Sequence, residues 1–424
     1  MKLAARVSAL AAPVFLLACA VPDGGLFRAE RYRDVHLYGI YADGFFRGEV
    51  PYRDVFVEYP PGAFAVFMPP AVLPGGAYNA AFKTLMALCG IAALFCVVLI
   101  LVTIGVRGRS LYAAAGIFAL SPLAVGPISL NTYDLFPAAL TVGALAALLR
   151  RRELLAFGLL GLAVTAKLYP LVLVPLAVLY VWSVAGQARA LRSLAVLAGV
   201  VLVVILPFAI LGPDGLWDSF HAQSSRGLQI ESLGAAFLLA GHRIGAYEAS
   251  VVHGTTGAAT RDLTGSLPDA LATFGSILQL AAVGLVWLLF ARGPRNAERL
   301  LLASTAAVAG FLAFNRFVSP QYVVWLIPLV LLVPGRSGAA AIAMVGASLV
   351  LAQIWFFHYS HVFQLEGITW LIVLRDALLL ALYVLLALRL KTSTPSSEKT
   401  SRQSGLRRKA ARSVAVANGS HRSA

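Results

Sequence analysis

Long apolar runs, broken by short arginine-rich connections and two long polar segments, set the pattern of this chain. A helix needs about 20 apolar residues to cross the hydrocarbon of a bilayer, and fewer where its ends snorkel or the bilayer thins. On that measure, spans fall near 4–22, 78–105, 111–129, 134–149, 154–168, 170–185, 193–212, 270–291, 299–315, 320–334, 338–357 and 369–390. Some are short, and the run 154–185 either crosses twice or bends. The segment 62–73, interrupted by Pro69 and Pro70, is too short to span and is expected to dip into the membrane or lie on its surface. The predicted fold class is an all-α polytopic membrane bundle of about 12 transmembrane helices, with external loops that carry short interfacial helices.

Composition agrees with that pattern. Of 424 residues, 59% are hydrophobic and 12% charged, against about a quarter charged in soluble domains; the mean hydropathy is +0.82. The net charge of +15 would point to nucleic acid if it formed a patch on a soluble domain. Here the basic residues sit in connections between spans, at Arg107 and Arg109, Arg150 to Arg152, Arg189 and Arg192, Arg292, Arg295 and Arg299, Arg336, and from Arg389 onward. With the N-terminus inside, every one of these connections is cytoplasmic, opposed before the tail only by Glu153 and Glu298. No nucleic-acid partner is expected. The domain reading is a transmembrane unit over 1–390, with a first external loop at 23–77 and a large external loop at 213–269, followed by a disordered basic cytoplasmic tail at 391–424 that touches anionic lipid. The chain is thus expected in the cell membrane as a multi-pass protein, with both termini cytoplasmic and its active site on the extracytoplasmic face. The basic, apolar and small-residue zones of the N-terminus resemble a signal peptide; an uncleaved first span is the preferred reading, because Leu17 is atypical before Ala18 and Cys19 in a lipoprotein signal. Cys19, Cys89 and Cys96 have no metal-ligand spacing and are read as small core hydrophobes.

Candidate chemistry concentrates on the external side. The stretch Tyr32 to Met68 is polar, acidic and aromatic, with Asp34, Asp43, Asp54 and Glu58 beside Arg33, Arg47 and Arg53. Asp34, Tyr38 and Ala42 share one face of a helix, and Gly48 marks a turn after it. Asp34 is either the cap of that helix or a general base near the membrane surface, and spacing alone leaves the two level. Glu58 opens EYPPGA, a rigid turn into the membrane. In NTYDLFP, Asn131 suits a cap and Asp134 a first helical turn. Lys167 within an apolar run needs an anion, a phosphate being one, or must snorkel beside Tyr169. His221, Arg226, Gln229 and Glu231 fall within eleven residues; Arg226 is suited to phosphate, and Gln229 and Glu231 to sugar hydroxyls. Asn315, Arg316, Ser319, Gln321 and Tyr322 gather at another outer boundary, and His358 and His361 lie on the same side. Trp217, Phe220 and Tyr247 are suited to stacking on sugar rings. No nucleotide, zinc-protease or acyl-transfer motif is present.

The pattern Asp34, Tyr38, Ala42, Gly48, Tyr52 and the following YPP resembles the first external loop of membrane glycosyltransferases of family 87, in the GT-C superfamily, many of them actinobacterial mannosyltransferases. The segments NTYDLFPAAL, AKLYPLVLVP, RGLQIESL and SPQYVVWLIPL are similar to these proteins as well. The resemblance implies a GT-C-like bundle, a polyprenyl-phosphate sugar donor (commonly mannose) and a lipid-linked or periplasmic glycan acceptor, with no cofactor. It places the catalytic base on Asp34, with Asp43 the substitute. A DxD-like acidic pair is lacking in the loop, so no metal is expected. Residues expected to contact substrate are Tyr38, Arg53, Glu58, Asn131, Asp134, Lys167, Arg226, Gln229, Glu231, Arg316, Gln321 and His358. A transporter or flippase of lipid-linked sugars is the alternative, and it would place charges along a midplane path rather than at one surface. A lipid- or partner-binding scaffold, the third class, would tolerate neutralisation of Asp34.

Overall fold

The computed structural model describes residues 1–22, 34–73, 76–253 and 261–393; Arg33 and the basic tail from 394 onward lie outside them. Among the described residues, seven helices are long and apolar enough to cross a membrane: α1 (Lys2–Val21), α4 (Tyr78–Thr103), α5 (Gly108–Val125), α10 (Gln187–Leu211), α13 (Ser266–Arg292), α16 (Gly335–Phe357) and α18 (Thr369–Thr392). The other five expected spans are helical but shorter, namely α7 (Leu135–Leu149), α8 (Glu153–Ala166), α9 (Val174–Ala185), α14 (Ala297–Ala313) and the single turn α15 (Leu326–Val330). Neighbours pack in the series α1 on α5, α4 on α7, α7 on α8, α8 on α10, α13 on α14, and α18 against both α14 and α16. Leu202, Val203 and Ile210 on α10 and Leu280 on α13 stay exposed, as expected where the neighbour is lipid rather than protein.

One end of the bundle is closed by arginine. The last carbonyls of a helix have no intrahelical donor, and here long cations supply it. Arg107 donates to Val102 and Val106, Arg389 to Pro334, and buried Arg299 to Leu289 and Leu390. Arg151 donates to the Val184 carbonyl at 3.1 Å, which puts the start of α8 and the end of α9 at the same place. The run 154–185 therefore goes in and returns, reversing around Lys167. Gly186, with φ of 85°, makes the next reversal into α10, in a conformation that side chains disfavour.

The opposite end carries the polar segments. The helix anticipated at Asp34 is α2 (Asp34–Phe46), and its face of Tyr38 and Ala42 is fully buried. Tyr38 stacks on Phe67 at 4.2 Å and meets Tyr59 and Tyr133 edge-on. The YPP turn becomes a 3₁₀ turn, Pro61–Ala63, leading into α3 (Phe64–Ala71), eight residues that dip without crossing. Gly62 presses on the end of α8: a Cβ there would lie 2.6 Å from the Thr165 carbonyl carbon, so only glycine fits. The short turn α6 (Ile128–Asn131) leads into the reversal before α7. The large loop, whose order the sequence left open, folds as α11 (Pro213–Ser224), β1 (Leu228–Gln229), α12 (Leu233–Arg243), β2 (Val251–His253) and β3 (Arg261–Leu263). The strands form an antiparallel sheet in the order β1-β3-β2, with Leu228 opposite Leu263. A separate core of Leu228, Ile230, Leu239, Leu263 and Ile372 joins this loop to Trp355 and to α17 (Tyr359–Phe363).

A buried ion pair joins three reversals at this end. Lys167 Nζ lies 2.5 Å from Asp134 Oδ1, and the same oxygen accepts from Trp325 Nε1 at 2.7 Å. The ammonium also sits 4.4, 5.0 and 5.2 Å from the ring centroids of Tyr133, Tyr322 and Trp325. Asp134, expected in the first turn of α7, stands at its N-cap position, makes no capping bond and is committed to this tertiary contact instead. Lys167 does not snorkel; its anion comes from the protein. Lys167→Met, which leaves Asp134 buried and unpaired, is expected to lower stability by about 3–5 kcal/mol, and Lys167→Met with Asp134→Leu to recover most of that. Thermal unfolding midpoints in detergent check this; a double variant as unstable as the single one would refute the pairing account.

Candidate active site

A cavity of about 1160 Å³ occupies this end of the bundle, and its walls come from α2, the YPP turn, the α8–α9 reversal, the large loop, the α14–α15 connection and α17. Asp34, at the first turn of α2, lines it. A helix N-terminus favours an ionised carboxylate by less than about 1 kcal/mol, and that is outweighed here. Burial, then the nearby Asp134 and Glu58 carboxylates, push the Asp34 carboxyl up to about 6, against the pull of Lys167 and the Tyr38 phenol.

Glu58 also lines the cavity and forms an ion pair with buried Arg226 at 3.1 Å. Burial pushes its carboxyl up, and Arg226 opposes that. The Arg226 guanidinium lies 4.0 Å from the Phe317 ring centroid, and its backbone carbonyl accepts from Arg316 at 3.2 Å. Gln229 straps β1 to the same connection: its side-chain oxygen accepts from Val318 N at 2.7 Å and its own N–H donates to Arg316 O at 3.1 Å. Although Gln229 lines the cavity, its side-chain oxygen is thus committed to backbone. Glu231 sits further along the wall, accepting from the Tyr359 hydroxyl at 2.8 Å; burial pushes its carboxyl up to about 8.

The structure therefore brings Asp34, Glu58, Lys167, Arg226, Gln229, Glu231, Arg316 and Gln321 to one cavity, with Asp134 directly behind Lys167. It keeps the remaining candidates away from the lining. Tyr38 is buried beneath Asp34 among aromatic rings, where it supports α2. Asp43 is exposed at the far part of α2, nine residues or about 13 Å of helix from Asp34. Arg53 is exposed and paired with its neighbour Asp54 at 2.8 Å. Asn131 donates to Pro127 O at the end of α6 rather than capping α7. His358 is exposed and its ring bonds the Ile354 carbonyl. Of the aromatics suggested for the large loop, Phe220 lines the cavity, Trp217 is exposed, and Tyr247 packs on the second core. The residues that sequence reasoning missed are mostly aromatic: Tyr59, Tyr133, Trp325, Tyr359 and Phe363. Their signal was the clustering of tyrosine and tryptophan beside the polar residues already noticed.

Charges on the wall nearly cancel in pairs, Lys167 with Asp134 and Arg226 with Glu58. Among the described residues, Arg316 is the lining arginine or lysine that forms no ion pair. A carboxylate of raised pKa and a cation without an ion-pair partner in the lining of one cavity are suited to taking a proton from a hydroxyl while an anion forms nearby.

Solved structures to which this chain is similar at low identity include the following two. ArnT from Cupriavidus metallidurans, bound to undecaprenyl phosphate, is 16% identical with a TM-score of 0.47, covering 91% of this chain and 77% of its own. The Archaeoglobus fulgidus oligosaccharyltransferase, tethered with an acceptor peptide, is 14% identical with a TM-score of 0.41, covering 94% of this chain and 56% of its own. No curated protein matches the sequence. The model of glycosyltransferase family 87 matches residues 56–320, a stretch that holds Glu58, Asp134, Lys167, Arg226, Glu231 and Arg316, while Asp34 precedes it. That match takes in more than half of the chain and most of the cavity wall, and the protein belongs to glycosyltransferase family 87.

Proposed function

We propose that this membrane glycosyltransferase moves a sugar, mannose being the expected one, from a polyprenyl-phosphate donor to a lipid-linked or cell-envelope glycan on the extracytoplasmic side. The observation that carries the reading is the joint presence of Asp34 and the cations of Lys167, Arg226 and Arg316 in the lining of one cavity. Family membership favours transfer over the transport alternative. The orientation rests on the positive-inside rule, because the arginine-closed end is the one opposite the cavity.

The reaction is a single inverting displacement. Asp34 accepts the proton of the acceptor hydroxyl as that oxygen bonds to the anomeric carbon. The bond from the anomeric carbon to the phosphate oxygen breaks in the same step, and polyprenyl phosphate departs as an anion. That leaving group requires positive charge and no general acid. Arg316 is the main candidate for it, since Lys167 is already neutralised by Asp134 and Arg226 is shared with Glu58. Aromatic rings at Tyr59, Tyr133 and Tyr322 exclude water from the reacting centre.

Transfer of radiolabelled sugar from polyprenyl-phosphate mannose to a membrane lipid extract tests the reading. Asp34→Asn is expected to lower turnover by on the order of 10²–10⁴-fold with insertion intact; retained turnover in purified protein rejects the assignment. Because the base acts as a carboxylate, the wild-type rate should fall as pH drops through about 6 and level off above it. A rate flat from pH 5 to pH 8, on the order of a thousandfold span in proton concentration, would remove Asp34 from that role. Arg316→Ala is expected to reduce kcat/KM for the donor by on the order of 10²-fold; unchanged donor kinetics would shift the phosphate to Arg226.

A further inference from the structure

The corner of the cavity around Glu231 differs chemically from the wall around Asp34. Glu231 is 2% exposed, and while one carboxyl oxygen accepts from Tyr359, the other has no hydrogen-bond partner among the described residues. Buried carboxyl oxygens are rarely left without a donor. The carboxyl is held in place from behind, where Arg375 of α18 donates to the Glu231 carbonyl and is paired with Asp376 at 2.7 Å. That cation is buried, already committed, and absent from the lining. Aromatic faces complete the corner: Phe356 stacks with Tyr359 at 5.6 Å, and Phe363 meets Tyr359 edge-on at 4.3 Å. All three rings line the cavity together with Glu231.

None of the lining cations Lys167, Arg226 and Arg316 bonds to Glu231, and Arg261, whose guanidinium lies 4.4 Å from the Phe363 ring centroid, is absent from the lining. A flat ring bearing hydroxyls finds both apolar faces and a carboxyl short of one donor. We propose that the Glu231 corner is a carbohydrate subsite, in which a hydroxyl of a neutral acceptor glycan donates to the unpartnered Glu231 oxygen while the sugar ring lies against Phe356 and Phe363. The proposal rests on the glycosyl-transfer reading above and deepens it, because it makes the acceptor a neutral glycan rather than an anionic headgroup. The donor's own sugar is adjacent to its phosphate and so belongs with the cations. The raised range of the Glu231 carboxyl, about 8, fits a group that holds a proton at neutral pH and both gives and accepts hydrogen bonds to a hydroxyl.

The test is saturation-transfer NMR on full-length protein in detergent with the methyl glycoside of a neutral mannose disaccharide, alongside binding of a non-hydrolysable polyprenyl-phosphate sugar. Glu231→Ala is expected to weaken disaccharide binding on the order of tenfold or more while leaving donor binding unchanged, and Glu231→Gln to restore most of the loss. Phe363→Leu, which removes one ring and leaves the carboxyl, is expected to weaken it several-fold, and serves if Glu231→Ala unfolds. Asp34→Asn is read by turnover and the Glu231 variants by disaccharide binding, so failure of the base assignment reads separately from failure of the subsite. Absence of saturation transfer in wild type, unchanged binding in both the Glu231→Ala and Phe363→Leu variants, or loss of donor rather than disaccharide in Glu231→Ala would each overturn the proposal.

Discussion

The pair between Lys167 and Asp134 is the interaction on which the rest of the structure depends. In a bilayer, apolar packing says little about which helix ends must meet, because lipid tails solvate leucine as well as protein does. A buried charge is different. Left alone it costs several kcal/mol, and it is tolerated only with its partner at close range. Asp134 stands at the start of α7, Lys167 at the end of α8, and Trp325 just before α15, so satisfying one carboxylate oxygen fixes three reversals relative to one another. Gly62 then presses the YPP turn against Thr165 and Ala166, two residues before the lysine. Through that contact the first polar loop, and Asp34 with it, is referred to the same point.

The two ends of the bundle use cations for opposite purposes. At one end, the guanidinium groups of Arg107, Arg299 and Arg389 are consumed by backbone carbonyls, which makes that surface a set of finished helix ends. At the other, cations meet carboxylates across a cavity, and the pairs cancel nearly to neutrality. What remains unpaired is small: Arg316, and Asp34 and Glu231, whose ionisation burial opposes. The cavity thus offers cationic and carboxyl groups in one lining without a large net field.

Much of this was legible in the residues. The positions of the apolar runs gave the helices, since length and hydropathy act locally, and the helix at Asp34 followed from Tyr38 and Ala42 being one turn apart. The grouping of Glu58, Arg226 and Arg316 was legible only as residues on one side of the membrane. Sequence order could not show that Lys167 is neutralised from 33 residues away, or that Trp325 reaches Asp134 across 191. Asp134 looked like a first-turn carboxylate because that reading needs only its own helix, whereas its partners belong to other segments. Arg53 and His358 lie off the lining for the converse reason: polar residues in an external loop are equally at home in water, and these two bond to residues close by in the chain. The large loop resisted reading because its order comes from a second core that borrows Trp355 and Ile372 from late in the chain.

The cavity wall begins at Asp34 and ends at Phe363, and Arg375, on the last described helix, stands behind Glu231. The wall is thus drawn from nearly the whole length of the chain, so the cavity is complete only when the last span has docked.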